Sequence, residues 1–201
     1  MSGLTLYGTT TSPYVRRVRI VAHELGIEVD LVDTAEDDGQ RRMRAANPVW
    51  KVPTVTVGEL SILDSSTICE YLVNERGPGE LERFNADNLH ERNLMTVIDG
   101  ALDSLINAFY LARDGVTAQS SSYAAKQKQR AASAMQWLEQ WATGPWLSQV
   151  HKLGLPEIAM VTTLEWMQFR ETYDVSAHPK LVELGKHWAD RESFARTRPG
   201  A

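Results

Sequence analysis

The four residues Ser12-Pro13-Tyr14-Val15 follow an apolar stretch, residues 4–7, that alternates like a β-strand, and they begin a helical pattern. Proline is favoured in the first turn of a helix, so the spacing predicts that Ser12 lies at a helix N-terminus. Unpaired backbone N–H groups and the helix dipole stabilise negative charge there, and a serine hydroxyl adds a hydrogen-bond donor. The stretch therefore predicts an anion-binding site, with the alternative that Ser12 only caps the helix.

A second helix N-terminus is predicted at Asp64 and Ser65, because both are common N-cap residues and they precede the apolar pattern of residues 68–72. Two backbone N–H groups and the Ser65 hydroxyl would form a socket for a carboxylate, or the two residues are again a plain helix cap. Six arginines add positive charge that could attract an anion or form solvated helix faces: Arg16, Arg17, Arg19, Arg41, Arg42 and Arg44.

Composition favours a soluble globular protein. Hydrophobic residues make up 43% and charged residues 23% of the 201 residues, and the net charge of −5 disfavours nucleic-acid binding. The sequence predicts no secretory signal and contains no window approaching the roughly 18 apolar residues of a membrane span. The single cysteine, Cys69, indicates a reducing, cytoplasmic location and is predicted to be a buried side chain rather than a redox centre. No spacing of histidine or cysteine predicts a metal site.

The order of elements predicts two domains of different class. Strand, helix, strand, helix, hairpin and helix patterns follow one another within residues 1–77, which indicates an α/β domain of the thioredoxin type. One of these helices, within residues 36–47, is expected to be short and irregular. After a segment rich in glycine, proline and charge, residues 86–201 carry only helical patterns and predict an all-α helical bundle. The expected helices lie near residues 94–109, 121–143, 156–171 and 178–189.

Three stretches of the first domain, in their order and spacing, resemble the cytosolic glutathione transferases: TSPYVRRVRIVAHELG, NPVWKVPTV and LDSSTICEYL. The first has the frame of the Cys-Pro-Tyr-Cys turn of a glutaredoxin with both cysteines replaced, which disfavours a thiol-disulfide oxidoreductase. The resemblance covers almost the whole chain and is greatest to the serine-type bacterial, theta-like and zeta-like classes. It implies an enzyme that activates the glutathione thiol for attack on a hydrophobic electrophile, transferring an alkyl or aryl group other than methyl.

In such a site the nucleophile belongs to glutathione, which is a co-substrate, and the resemblance implies no cofactor. The Ser12 hydroxyl would donate a hydrogen bond to the glutathione thiolate and, with the helix dipole, lower a thiol pKa whose ordinary value is about 8.5. Tyr7, at the position where other classes place an activating tyrosine, and Thr11 stay open as alternative activators.

The resemblance also implies which residues bind glutathione. The peptide bond between Val52 and Pro53 would be cis, and the Val52 main chain would pair with the cysteinyl part of the tripeptide. Lys51 would meet the glycine carboxylate, unless it is a solvated surface lysine. Asp64 and Ser65 would bind the γ-glutamyl end, with its carboxylate at the helix N-terminus and its ammonium at Asp64.

The electrophile pocket is expected between Ser12 and the long helix of the second domain. Its candidate lining residues are Thr10, Thr11, Asp103, Ile106 and Tyr110. The implied partners are glutathione, a small hydrophobic electrophile and a second copy of the chain in a homodimer. Conjugation, isomerisation, reductive cleavage and peroxide reduction all stay open, and the alternative function is a non-catalytic ligand carrier or interaction module.

One departure from the family pattern lies in the second domain. Relatives usually open a buried core helix there with serine or threonine and place an aspartate three residues later, whereas this chain has Gly154 and Glu157. Glycine has no side-chain acceptor, so this helix start is expected to be weaker by roughly a few tenths of a kcal/mol.

Overall fold

The sheet is built by the first part of the chain. The computed structural model describes residues 3–84 and 87–199, and within these the sheet has four strands: β1 (Leu4–Gly8), β2 (Asp30–Asp33), β3 (Thr54–Val57) and β4 (Leu60–Leu63). Their order is β2-β1-β3-β4, with β1 parallel to β2 and antiparallel to β3. The predicted hairpin is confirmed by the antiparallel pairing of β3 with β4. In the described ranges no strand of this sheet comes from beyond residue 90, as predicted.

Three helices accompany the strands: α1 (Pro13–Glu24) and α2 (Asp37–Ala46) lie between strands, and α3 (Ser65–Arg76) follows β4. α1 forms the crossover that a parallel pair of strands requires, between β1 and β2. The expectation of an irregular helix within residues 36–47 is wrong, because α2 is an uninterrupted α-helix of 10 residues. Acidic residues in its first turn interact favourably with the helix dipole, and the Met43 side chain is buried in the core.

The second part of the described chain is helical. Its helices are α4 (Leu89–Arg113), α5 (Ser122–Trp141), α6 (Leu155–Phe169), α7 (Pro179–Ala189) and α8 (Glu192–Ala195), with a 3-10 turn at Val175–Ala177. The four expected helices correspond to α4 through α7, so the predicted fold class, an α/β thioredoxin-like unit followed by an all-α bundle, is confirmed. Residues 1, 86 and 201, which bound the two predicted domains, lie outside the described residues, and those boundaries stay a prediction.

α4 is long and apolar enough, by length and composition, to cross a membrane, contrary to the prediction that no such window exists. Its composition has another cause in this fold. α4 packs along α5 and α6, and the side chains of Leu94, Ile98, Leu102 and Leu105 are at most 1% exposed. The core helix of a bundle is apolar for this reason, and one such helix is weak evidence for a membrane span.

α1 connects the two parts of the chain, because it contacts both α3 and α6. Arg16 and Arg17 on this helix are 1% and 0% exposed, so they are neither solvated nor available to an external anion. Arg16 forms an ion pair with Glu165 of α6, and Arg17 donates to the Asp99 carboxylate of α4 at 2.5 Å. These two ion pairs therefore connect α1, in the α/β part of the chain, to helices α6 and α4 of the bundle.

Glu157 stabilises the start of α6, where the N-cap Gly154 lacks the side-chain hydroxyl of a serine or threonine. The fully buried Glu157 carboxylate accepts hydrogen bonds from the backbone N–H groups of Gly154, Leu147 and Ser148, at 3.1, 2.9 and 2.8 Å. Hydrogen bonds to an ionised acceptor are among the strongest in proteins. The three hydrogen bonds to Glu157 offset the missing side-chain cap. The expectation of a weaker helix start did not take them into account.

Candidate functional site

A cleft of about 600 Å³ lies at the N-terminus of α1, between the loops of the sheet and helices α4 and α6. A smaller cavity of about 200 Å³ adjoins it at the start of α3. The two share Tyr14, Lys51, Val52 and Asp103 in their walls. The two cavities are therefore neighbours.

Ser12 is the N-cap of α1 and also lines the cleft, so both sequence-based alternatives apply. Its Oγ accepts a hydrogen bond from the Val15 backbone N–H at 3.3 Å. Across the described residues, no acceptor receives the hydroxyl hydrogen of Ser12. The hydroxyl can therefore cap the helix through its oxygen and still donate its hydrogen to an anion in the cleft.

The other hydroxyls near this turn differ in their access to the cleft. Thr11 lines it beside Ser12, with its Oγ1 3.3 Å from that of Thr9. Thr10, predicted to line the electrophile pocket, is absent from the walls of the cleft, whereas Thr9 and Thr11 line it. The chain turns at these residues, with the Ser12 N–H donating to the Thr9 carbonyl at 3.2 Å. Tyr7 is 7% exposed within β1 and is also absent from the walls. Burial of Tyr7 makes it a poor candidate for contact with a ligand.

The loop before β3 presents its backbone to the site. The Val52-Pro53 peptide bond is cis, as predicted, and Val52 lines both cavities. The buried Asn47 amide fixes the loop by donating to the Lys51 carbonyl and to Thr54 Oγ1, each at 2.9 Å. Among the described residues no backbone hydrogen bond involves Val52. Its N–H and C=O are therefore available to an extended ligand, beside the exposed Lys51 side chain.

Asp64 and Ser65 begin α3 beside the smaller cavity. Asp64 is the exposed N-cap, and its carboxylate accepts the Ser66 N–H at 2.8 Å. Its φ of 74° is rare for residues other than glycine, and such conformations concentrate at functional sites. Ser65 is buried but contributes to the cavity wall. As at Ser12, helix capping and access to a ligand coexist.

Tyr14 and Asp99 line the site, and the sequence-based prediction missed both. The Tyr14 hydroxyl donates to Asp103 Oδ1 at 2.7 Å, which connects α1 to α4, and the Arg17 guanidinium lies 4.6 Å from the Tyr14 ring centre. Burial raises the pKa of Tyr14 well above its ordinary value, so this phenol stays neutral and acts as a donor. Burial also raises the pKa of Asp99, and the neighbouring Arg17 opposes that shift. The one-turn spacing of Asp99 and Asp103 is the signal that could have identified this acidic wall.

The far end of the cleft is largely apolar. Ile106 and Tyr110 of α4 line it where they were expected, and Phe109 and Trp166 add aromatic surface that was not predicted. The Phe109 and Trp166 rings meet edge-on, with centroids 6.0 Å apart. Arg170, directly after α6, brings a positive charge to this wall.

Cys69 lies within α3 and is 2% exposed. Burial raises the pKa of its thiol to about 12, so it stays protonated, as expected for a buried small residue. Within residues 3–84 and 87–199, no group of three or more histidine, cysteine, aspartate or glutamate side chains is placed to hold a metal ion.

The chain is similar to known proteins in sequence and in structure. Residues 6–80 match the family model of the glutathione S-transferase N-terminal domain. The chain is 28% identical over 201 residues to the uncharacterized GST-like protein YibF of Escherichia coli (strain K12), and the alignment covers 98% of each. It superposes on the crystal structure of a glutathione S-transferase from Methylobacillus flagellatus KT with glutathione bound, with a TM-score of 0.85 and 27% identity, over 98% of this chain and 100% of that one. These similarities place a glutathione S-transferase N-terminal domain at residues 6–80 and relate the whole chain to glutathione transferases in fold.

The chain is also 32% identical over 76 residues to glutathione S-transferase 4 of Zea mays, across 36% of the chain and 34% of that protein. The part that matches the family model contains Ser12, the cis proline and Asp64. The relation of the chain to the theta-like or zeta-like classes stays a prediction.

Proposed function

We propose that this transferase binds glutathione across the two cavities, ionises its thiol at Ser12 and directs the thiolate at a hydrophobic electrophile. The observation that carries the proposal is the position of Ser12, at the N-terminus of α1, in one cleft with the open backbone of Val52 and an apolar wall. The similar transferase from Methylobacillus flagellatus has glutathione bound, which supports the same ligand for this chain.

Glutathione extends from the smaller cavity into the cleft. Its γ-glutamyl carboxylate binds at the N-terminus of α3 with the Ser65 hydroxyl, and its ammonium pairs with Asp64. Asp99 also lies in the wall of this cavity, but Arg17 pairs with its carboxylate, so the ammonium is assigned to Asp64. The cysteinyl part pairs with the backbone of Val52 as an added strand would, and the glycine carboxylate lies near Lys51.

Ser12 is the thiol activator in this proposal, in preference to Thr11 and Tyr7. Lowering a thiol pKa of about 8.5 by about two units requires roughly 2.7 kcal/mol. A hydrogen bond to a charged group contributes about 1.5–3 kcal/mol, and a helix dipole about 0.3–1 kcal/mol. Because the Ser12 oxygen already accepts the Val15 N–H, its hydrogen is the part of the hydroxyl left for the thiolate.

The thiolate attacks an electrophilic carbon of the second substrate, whose organic part lies against Ile106, Phe109 and Trp166. With an aryl chloride, the C–S bond forms, chloride leaves with the electron pair of the C–Cl bond, and the thiol proton passes to solvent. The product is a thioether of glutathione, so the reaction transfers an aryl or alkyl group.

Asp64→Asn should weaken glutathione binding about five- to tenfold in Kd, which corresponds to about 1–1.5 kcal/mol for a charge-assisted contact at an exposed site. Asparagine retains the N-cap and tolerates a positive φ, so the substitution removes mainly the charge that faces the γ-glutamyl ammonium. Calorimetric titration with glutathione measures the change. Asp38→Asn, an exposed carboxylate on α2, is the control and should bind like the wild type. An unchanged Kd in Asp64→Asn would contradict binding of the γ-glutamyl end at this helix N-terminus.

Turnover distinguishes the proposed transferase from a non-catalytic ligand carrier. The wild-type protein is first titrated with glutathione and then assayed with glutathione and chlorodinitrobenzene. Binding followed by thioether formation supports the transferase. Binding without turnover of any electrophile supports the carrier, and absence of binding contradicts both.

The proposal assigns glutathione binding to residues 1–77 and electrophile binding to residues 86–201, in a cytoplasmic homodimer. An open groove of about 670 Å³ between α4 and α5, with Tyr123 and Trp137 in its walls, offers apolar surface to a second copy. Sedimentation at micromolar concentration should show a dimer. Monomer alone would contradict this part of the proposal.

A further inference from the structure

Arg170 brings an unpaired guanidinium to the electrophile end of the cleft. It is half-buried and lines the wall directly after α6. In the part of the chain that the structure describes, no carboxylate forms an ion pair with Arg170 and no hydrogen bond involves its side chain. Its guanidinium carbon lies 4.7 Å from the Phe169 ring centre and 5.4 Å from that of Phe109. The two rings hold the cation in place while its N–H groups lack a protein acceptor.

The other charges of the cleft do not neutralise Arg170. Among the described residues, Lys51 and Asp103 are the other charged side chains in its walls. Asp103 accepts the Tyr14 hydroxyl at 2.7 Å, and Lys51 is assigned to the glycine carboxylate of glutathione. The Arg170 guanidinium is partly accessible to solvent, and no carboxylate of the described residues pairs with it. A cation held in this way is available to an anionic group of a ligand in the cleft.

The walls next to Arg170 fit a flat apolar group. The Phe109 ring meets Trp166 and Tyr110 edge-on, with centroid distances of 6.0 and 5.4 Å. Trp166 is 5% exposed and Tyr110 57%, so the aromatic surface extends from the buried wall to the open side of the cleft. Aromatic rings favour such edge and face contacts with another ring. The planar guanidinium matches the two oxygens of a carboxylate.

We propose that the electrophile of this transferase carries a carboxylate on an aromatic or conjugated apolar body, and that Arg170 binds that carboxylate. The inference rests on the proposed function and adds the chemical class of the second substrate. In the reaction the glutathione sulfur attacks a carbon of the apolar body, the C–S bond forms, and the leaving group departs with its electron pair. The carboxylate stays unchanged at Arg170, which determines specificity and takes no part in bond making.

The test uses two aryl chlorides that differ in charge, the para-chloro, meta-nitro derivatives of benzoate and of benzamide. The measured quantity is the ratio of kcat/KM for the benzoate to kcat/KM for the benzamide, in which effects on the glutathione site cancel. Arg170→Met should lower this ratio about tenfold, as for loss of one charge-assisted contact, and Arg170→Lys should restore part of it. Arg113→Met is the matched control and should leave the ratio unchanged. Arg113 also lies over Phe109, at 5.9 Å, but is exposed and absent from the cleft walls.

A second measurement needs no variant. In calorimetry, the wild-type protein should bind the thioether of glutathione that carries the carboxylate about tenfold more tightly than the thioether that carries the carboxamide. Equal affinities for the two thioethers would overturn the inference, and so would an unchanged kcat/KM ratio in Arg170→Met. Either result would leave the proposed function intact, provided that the protein still binds glutathione and turns over an electrophile. Absence of glutathione binding to the wild type would contradict the proposed function, and this inference with it.

Discussion

Ser12→Ala should lower the turnover of glutathione with an aryl chloride by about tenfold to a few hundredfold, or about 1.4–3 kcal/mol of transition-state stabilisation. The hydroxyl is the proposed donor to the thiolate, so its loss leaves mainly the helix dipole to stabilise the negative charge. The Kd for glutathione should change little, because Val52, Asp64 and Ser65 hold other parts of the tripeptide. Steady-state kinetics and calorimetry measure the two effects separately.

Ser121→Ala is the matched control for this substitution. Ser121 is the N-cap of α5, and its Oγ accepts the Ala124 N–H at 3.3 Å, the same distance as from Ser12 Oγ to the Val15 N–H. Each alanine variant should lose about 1 kcal/mol of stability, as is typical for removal of a cap. The activity should fall in Ser12→Ala alone. An equal loss of activity in both variants would mean that Ser12 acts only as a cap.

Arg16→Met should lower the free energy of unfolding by about 3–5 kcal/mol, the cost of breaking a buried ion pair by removing one partner. Arg16 is 1% exposed and forms an ion pair with Glu165. Its Nε also donates to Thr197 Oγ1 at 3.2 Å, and a terminal nitrogen donates to the Phe194 carbonyl at 3.1 Å. Methionine fills similar space but leaves these acceptors without their donor. Urea unfolding followed by circular dichroism measures the change.

Arg41→Met provides the comparison on the surface. Arg41 forms an ion pair with Asp38 three residues away, and its side chain is 74% exposed. Pairs of this kind contribute about 0–1 kcal/mol, so the variant should unfold almost like the wild type. A loss of less than about 1 kcal/mol in Arg16→Met would contradict the role of its ion pair in joining the sheet to the bundle.

The strands, most helices and two helix caps could be predicted from the sequence because each carries a local signal. Pro13 after Ser12 marks the start of α1, and Asp64 before an apolar helical pattern marks the start of α3. The same local chemistry predicts unpaired N–H groups at these positions. Both ends of the proposed glutathione site are therefore recognisable from neighbouring residues alone.

Contacts between distant segments could not be predicted in this way. The sequence does not distinguish Arg16 from the exposed arginines of α2, and only the packing of α1 against α6 buries it. Thr10 and Thr11 are indistinguishable in sequence, and the turn alone decides which one lines the cleft. Arg170 is far from Ser12 along the chain and shares a cleft with it only because α6 packs against α1.

The pKa of the glutathione thiol bound at the start of α1 tests the role of Ser12 most directly. It is measured from the ultraviolet absorbance of the thiolate as a function of pH, for the glutathione complexes of the wild type and of Ser12→Ala. In the wild-type complex the midpoint should lie about two units below the ordinary thiol value of about 8.5, and in Ser12→Ala it should move back toward that value. Superimposable titration curves, with unchanged turnover, would contradict the role of Ser12 and assign activation to Thr11 or Tyr7.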